Sequence, residues 1–266
     1  MNFSIIAASR LRLNPFLIDR FSGALVAYSL RSLSSSTTNV IKARRSSDNS
    51  ELDFTALEIT DGTLTTWTGA GDGFVTIIYD QVGSNDLTQT NAARQGKIVI
   101  GGTLQTDNGK PVILRSTDNN GGYISSFAPN NGASEKGFFY VGENSSKTRS
   151  IIIGSNSSGS DFLLVSEQSS SGVNSNVSTS SEKINGNTWL LADRDTRQKV
   201  YNSTLNQNLI SLNLNFSFAD NSMSLGYRFT NVANLGMYSF QEMLIFGNTS
   251  DTVEKENNVN GFYSIY

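Results

Sequence analysis

From Gly73 onward the chain is a succession of short apolar or alternating runs, four to ten residues long, divided by small polar residues. Runs of that length between turn residues predict strands. They cover Gly73–Asp80, Lys97–Gly101, Pro111–Arg115, Lys136–Val141, Ser150–Gly154, Asp161–Ser166, Thr188–Ala192, Lys199–Asn202, Leu209–Phe218, Ser222–Tyr227 and Phe240–Phe246. The separators GTL, DNNGG, PNNG, NSSGS and SSSGVNSN are turn and loop chemistry. Alternation is cleanest in Leu209–Phe218, where Ile210, Leu212, Leu214, Phe216 and Phe218 form a core-facing set and the mostly polar intervening positions face water. Ala24–Leu33 fits a short helix or a twisted strand equally well. Asp251–Tyr266 reads as a capped amphipathic helix, with Asp251 as N-cap, Glu254 three positions on, and Val253, Val259 and Phe262 or Tyr263 near one face. Residues 1–21 lack periodicity and form an arm, with a short helix expected around Leu17–Phe21, ahead of one domain over 22–266. The fold class expected is all-β: an antiparallel β-sandwich or jelly roll with a short C-terminal helix.

Composition narrows the chemistry. The 266 residues include no cysteine and no histidine, with 3 prolines against 23 glycines. That excludes a Ser-His-Asp triad, a thiol nucleophile, the usual zinc ligand set and disulfides. Chemistry must come from carboxylates, hydroxyls, Lys, Arg or Tyr. A net charge of −3 offers no clustered basic surface for nucleic acid or anionic lipid. No window reaches the ~20 apolar residues of a membrane span, and the first apolar run, Ile5–Ala8, is too short for a secretion signal. No cofactor and no metal is expected. Asp72 and Asp86 are read as turn residues rather than calcium ligands, and GAGDG at Gly69–Gly73 lacks the Lys-Ser/Thr of a phosphate loop.

Three segments carry a family likeness: Ala27-Tyr28-Ser29-Leu30-Arg31; Ala43-Arg44-Arg45-Ser46-Ser47-Asp48-Asn49 with Asp53; and Gly71–Gln81 followed by Gly83 and Asp86-Leu87-Thr88-Gln89. This series resembles the N-terminal half of the α-L-arabinofuranosidase B catalytic domain. It is also similar to concanavalin A-like, laminin-G-like domains of bacteriophage structural proteins, which the ending EMLIF…NGFYSIY resembles in particular. The resemblance implies the sandwich fold. It does not carry an active site across, because the family's catalytic half contains disulfide-forming cysteines that this chain lacks.

Arg31, Arg44, Arg45, Asp48 and Asp80 lie in or beside apolar runs, where a charge must be paired. They are expected to form a structural charge network, with a carboxylate–Arg sugar clamp as the functional alternative. Trp67 and Tyr123 are candidate glycan-stacking rings, whereas Trp189 reads as core. Glu143, Asp161 and Glu167 are the candidate acid and nucleophile if the chain hydrolyses glycosides. The phage-like ending leads to the expectation of a non-enzymatic virion surface protein, a capsid decoration, head fibre or tail-associated subunit. It would contact other virion proteins through its arm as a homo-oligomer, with a trimer expected from the class, and display a glycan- or host-surface-binding sandwich. The alternatives are an arabinofuranosidase-type glycoside hydrolase and a purely structural module without ligand.

Overall fold

The computed structural model describes residues 16–115, 122–127, 135–143, 149–155, 162–167, 177–189, 207–216, 222–226 and 239–266. The expected strand at Lys199–Asn202 lies outside them.

A six-stranded antiparallel sheet runs in the order Ala24–Ser29, Glu242–Phe246, Lys136–Gly142, Asn208–Phe216, Val177–Ile184, Asn187–Trp189. Across from it a second antiparallel sheet runs from Phe162–Glu167 through Arg149–Ser155, Met223–Leu225, Tyr123–Ser125, Leu87–Thr88, Gly73–Ile78, Lys97–Ile100 and Ile113–Leu114 to Ser239–Phe240. The hairpin of Ile41–Arg45 and Glu51–Phe54 adds to it through Gly73–Ile78. The expected antiparallel sandwich is present, and Ala24–Leu33 resolves in favour of a strand.

Why the middle strand KGFFYVG reads as one continuous apolar run is now plain. Side chains alternate across a strand. Phe138 and Tyr140 point into the core between the sheets with Tyr28, Ile245, Val75, Ile98 and Leu225. Phe139 and Val141 point the other way, into a second core. Helix α1 (Leu17–Arg20) and the C-terminal helix cover that outer face, contributing Leu17, Phe21, Val259 and Tyr263. Residues 16–21 of the expected arm are thus built into the domain. The same cover buries Leu209 and Ser211, so the Leu209–Phe218 strand does not present that face to water as its polarity suggested.

Two further helices went unread in the sequence: α2 (Ala56–Thr60) and α3 (Thr63–Thr68). A capping box starts α2, in which Glu58 N donates to Thr55 Oγ1 at 3.2 Å and Thr55 N to Glu58 Oε2 at 2.8 Å. The C-terminal helix, α4 (Thr252–Tyr263), forms where expected, but not with the expected cap or face. Asp251 takes a left-handed φ of 53° and makes no side-chain cap bond. Val253 is 54% exposed, and the buried stripe is Lys255, Glu256, Val259 and Tyr263. Lys255 reaches the chain ahead of its helix, Nζ donating to Ser250 O at 2.6 Å, and lies 4.0 Å from the centre of the Phe246 ring. Burial lowers its pKa.

The Ala24–Ser29 strand lies at the end of its sheet, where unpaired N–H and C=O groups invite another strand. The Tyr79-Asp80-Gln81 segment closes that edge. Ala27 N donates to Asp80 Oδ1 at 3.0 Å, and Gln81 N donates to Ala27 O at 2.8 Å. Gln81 Nε2 reaches Ser29 O and Arg31 O, while its Oε1 accepts from Leu33 N.

Candidate functional site

The expected charge network is not one network. Arg31 forks onto Glu242, with Nε–Oε2 at 2.8 Å and Nη2–Oε1 at 3.0 Å. Glu242 also accepts from Ser29 Oγ at 2.8 Å. Burial opposes the charge on Arg31, but Glu242 outweighs it and the guanidinium pKa lies above its ordinary value. Arg44 binds Gln95 and Asn49 and lies over the Phe74 ring. Arg45 pairs with Asp48 at the surface, where the Arg45 hydrogen bonds and the Ser50 N–H hold the Asp48 carboxyl well below the usual range. Asp80 meets none of these arginines. Its Oδ1 accepts from Ala27 N and Val82 N, and its Oδ2 from Asn85 N at 3.3 Å. The clamp reading therefore has no geometry behind it.

Neither candidate ring is a free platform. Tyr123 is only 3% exposed, and its hydroxyl donates to Val75 O at 3.0 Å while accepting from Gly96 N at 3.1 Å. It is a core residue, because the run that follows Gly121-Gly122 is a strand. Trp67 sits half-buried on α3, edge-on to Phe54 at 5.3 Å and with Arg45 5.2 Å from its ring centre. Asp72 is taken up by Lys97 Nζ at 2.8 Å and Gly101 N at 2.9 Å.

Carboxyl groups under strain gather elsewhere. Glu143 follows the fully buried Lys136–Gly142 strand. Its backbone is pinned to Ser239, since Glu143 N donates to Ser239 Oγ at 2.8 Å and Ser239 N donates back to Glu143 O at 3.2 Å. Gly142 is needed for this approach: a Cβ there would collide with Tyr140 Oη and Ser239 O. Burial raises the Glu143 carboxyl pKa, and the charge of Asp107 raises it further.

Asp107 stands on the hairpin of Thr106–Asp107 and Lys110–Pro111, whose turn is Asn108-Gly109 with φ of 48° and 72°. Asn-Gly suits such a two-residue turn, which needs positive φ at both positions. Burial raises the Asp107 carboxyl against the opposing Asn108 N–H, and its Oδ2 is buried without a hydrogen-bond partner. Gln241, 0% exposed, ties the hairpin down by donating from Nε2 to Pro111 O at 3.0 Å, while its Oε1 accepts from Gln207 Nε2. Gln207 keeps a second buried, unpartnered acceptor, Oε1.

Glu167 stands apart from this end: it pairs with Arg149 on the Phe162–Glu167 strand, at the opposite edge of the second sheet from Ser239–Phe240, the strand that Glu143 touches. Asp161 lies outside the described residues. Among the residues sequence reasoning missed here are Asp107, Gln241 and Ser239. Of these only Asp107 carried a readable signal, the Asn108-Gly109 turn beside it.

No family model and no curated protein matches the chain. Solved structures do. An arabinofuranosidase complexed with arabinofuranosyl-α-1,2-xylobiose is 14% identical with a TM-score of 0.50, covering 89% of this chain and 62% of its own. A glutamate-to-glutamine mutant of a GH54 α-L-arabinofuranosidase, soaked with 4-nitrophenyl α-L-arabinofuranoside, is 15% identical with a TM-score of 0.51 over the same shares. The likeness is one of fold. This chain has the β-sandwich of those arabinofuranosidases and spans about three fifths of their length.

The finding corrects the expectation of a non-enzymatic virion protein. The structures that share this fold are glycoside hydrolases, and neither the phage nor the laminin-G-like assignment gains support.

Proposed function

We propose that the chain is a glycoside hydrolase domain of arabinofuranosidase type, with Glu143 as its general acid. The observation that carries this reading is the Glu143 carboxyl, whose pKa is raised by burial and by Asp107. A carboxyl whose pKa is raised beside another carboxyl is what a general acid requires. In this reading Glu143 gives its proton to the leaving-group oxygen as the glycosidic bond breaks. The reaction then needs a second carboxylate, which either attacks the anomeric carbon or activates water. Asp107 is a positioning residue that tunes Glu143 without touching substrate. The arabinofuranosidase fold supports the substrate class, a terminal arabinofuranoside.

The test is release of 4-nitrophenol from 4-nitrophenyl α-L-arabinofuranoside. Activity is expected to fall by roughly two to four orders of magnitude in Glu143→Gln. Activity needs a protonated Glu143, so it is lost as pH rises through that group's pKa. Asp107→Asn removes the neighbouring charge and moves this loss to lower pH. Absence of turnover, or turnover indifferent to Glu143→Gln, overturns the reading.

A further inference from the structure

A cavity of about 370 Å³ opens between Leu30, α2, the Asn108-Gly109 hairpin and the end of α4. Its walls are mostly apolar: Leu30, Ala56, Leu57, Pro111, Phe262 and Tyr263. Its size and lining are those of a small-molecule site. Leu57 is 69% exposed, a large apolar side chain held out at the mouth by a helix that its capping box fixes in place.

Two cations border the cavity, and they are not equivalent. Arg31 is fully used, by both oxygens of Glu242 and by Asn258 Oδ1 at 3.2 Å. Lys110 is not. Its Nζ lies 4.3 Å from the centre of the Phe262 ring, and among the described residues it makes no salt bridge, although Asp107 stands opposite it in the hairpin. Of these two cations, Lys110 is the one without a salt bridge among the described residues, and it stands above an aromatic and aliphatic floor.

That pairing selects a ligand class. A sugar finds few partners, since the one hydroxyl on α2 in the lining, that of Thr60, is turned back to Leu57 O at 3.0 Å. An organic cation meets Lys110. A planar apolar body bearing one carboxylate satisfies both features, burying its ring against Leu30, Leu57 and Pro111 while its charge meets the ammonium. We propose that this cavity is a binding site for an aryl carboxylate, with Lys110 as its anchor. The assignment is independent of the glycosidase reading, because it does not use Glu143.

The experiment is calorimetric titration of the full chain with 2-naphthoate and with its uncharged counterpart 2-naphthalenemethanol. Naphthoate is expected to bind in the range of about 1 mM or tighter, and roughly tenfold more tightly than the alcohol. Lys110→Met should abolish that preference, and Lys110→Arg should keep most of it. Leu57→Asp should weaken both ligands. Equal binding of acid and alcohol to the unmodified chain overturns the proposal even without a variant. So does undiminished naphthoate binding by Lys110→Met, or no binding at these concentrations.

Discussion

At the edge of the six-stranded sheet, both oxygens of buried Asp80 have N–H donors; at the end of the same sandwich, Asp107 keeps a buried oxygen with none. Both are aspartates at or just beyond the end of a strand. The difference is in what the backbone offers them. Asp80 is met by amides from three places, Ala27, Val82 and Asn85, and so joins the edge strand to the loop that covers it. Among the described residues Asp107 is met by Asn108 alone, and its proton affinity rises with burial. A satisfied buried carboxylate belongs to the architecture, whereas an unsatisfied one beside a second carboxyl is where chemistry is to be sought.

Substitutions can break or sharpen this contrast. Glu242→Gln should have the largest effect, about 3–5 kcal/mol of lost stability, because it leaves the Arg31 guanidinium buried without its counter-charge. Denaturant unfolding monitored by tryptophan fluorescence measures it. Asp80→Ala should cost about 2–3 kcal/mol by orphaning amides at the sheet edge, and a loss too small to measure there would mean that water serves those amides equally well.

Asp107→Asn should go the other way. Its carboxyl pKa is higher in the folded than in the unfolded chain, so the folded state holds the proton more tightly. Stability from this group is complete below the unfolded pKa and is lost as pH rises through the folded pKa. The variant should therefore melt at a higher temperature than the parent near pH 7, with the gap closing near pH 3. A gap that widens on acidification would reverse the sign. Asp48→Asn should be silent in the same melts, since the Arg45–Asp48 pair stands in solvent.

Much of the strand framework was legible because a period of two survives wherever one face meets a core. The runs at Gly73, Lys97, Lys136 and Leu209 all became strands within a few residues of their expected ends. The pattern misled where both faces are covered, as at Ser211, whose polarity suggested water although α4 lies over that side of the sheet. Helices α2 and α3 are too short for a visible period, and only Thr55 and Glu58 signalled a start. The candidate site was half readable. Glu143 stood out by position, but the pairing of Arg31 with Glu242 spans 211 residues, and nothing local to either residue announces it. The Asn108-Gly109 turn marked a hairpin at Asp107, but its proximity to Glu143 is a product of how that hairpin packs and could not be read.

The first strand of the domain, Ala24–Ser29, has Glu242–Phe246 on one side and Asp80-Gln81 on the other. During synthesis at about 5–20 residues per second, its sheet partner leaves the ribosome roughly 10–40 s after it does. For that interval Ala24–Ser29 can be covered on its Asp80 side only. The Tyr79-Asp80-Gln81 segment, made a few seconds after the strand, would then act as an internal chaperone for a nascent chain that cannot close its sandwich until the last strand arrives.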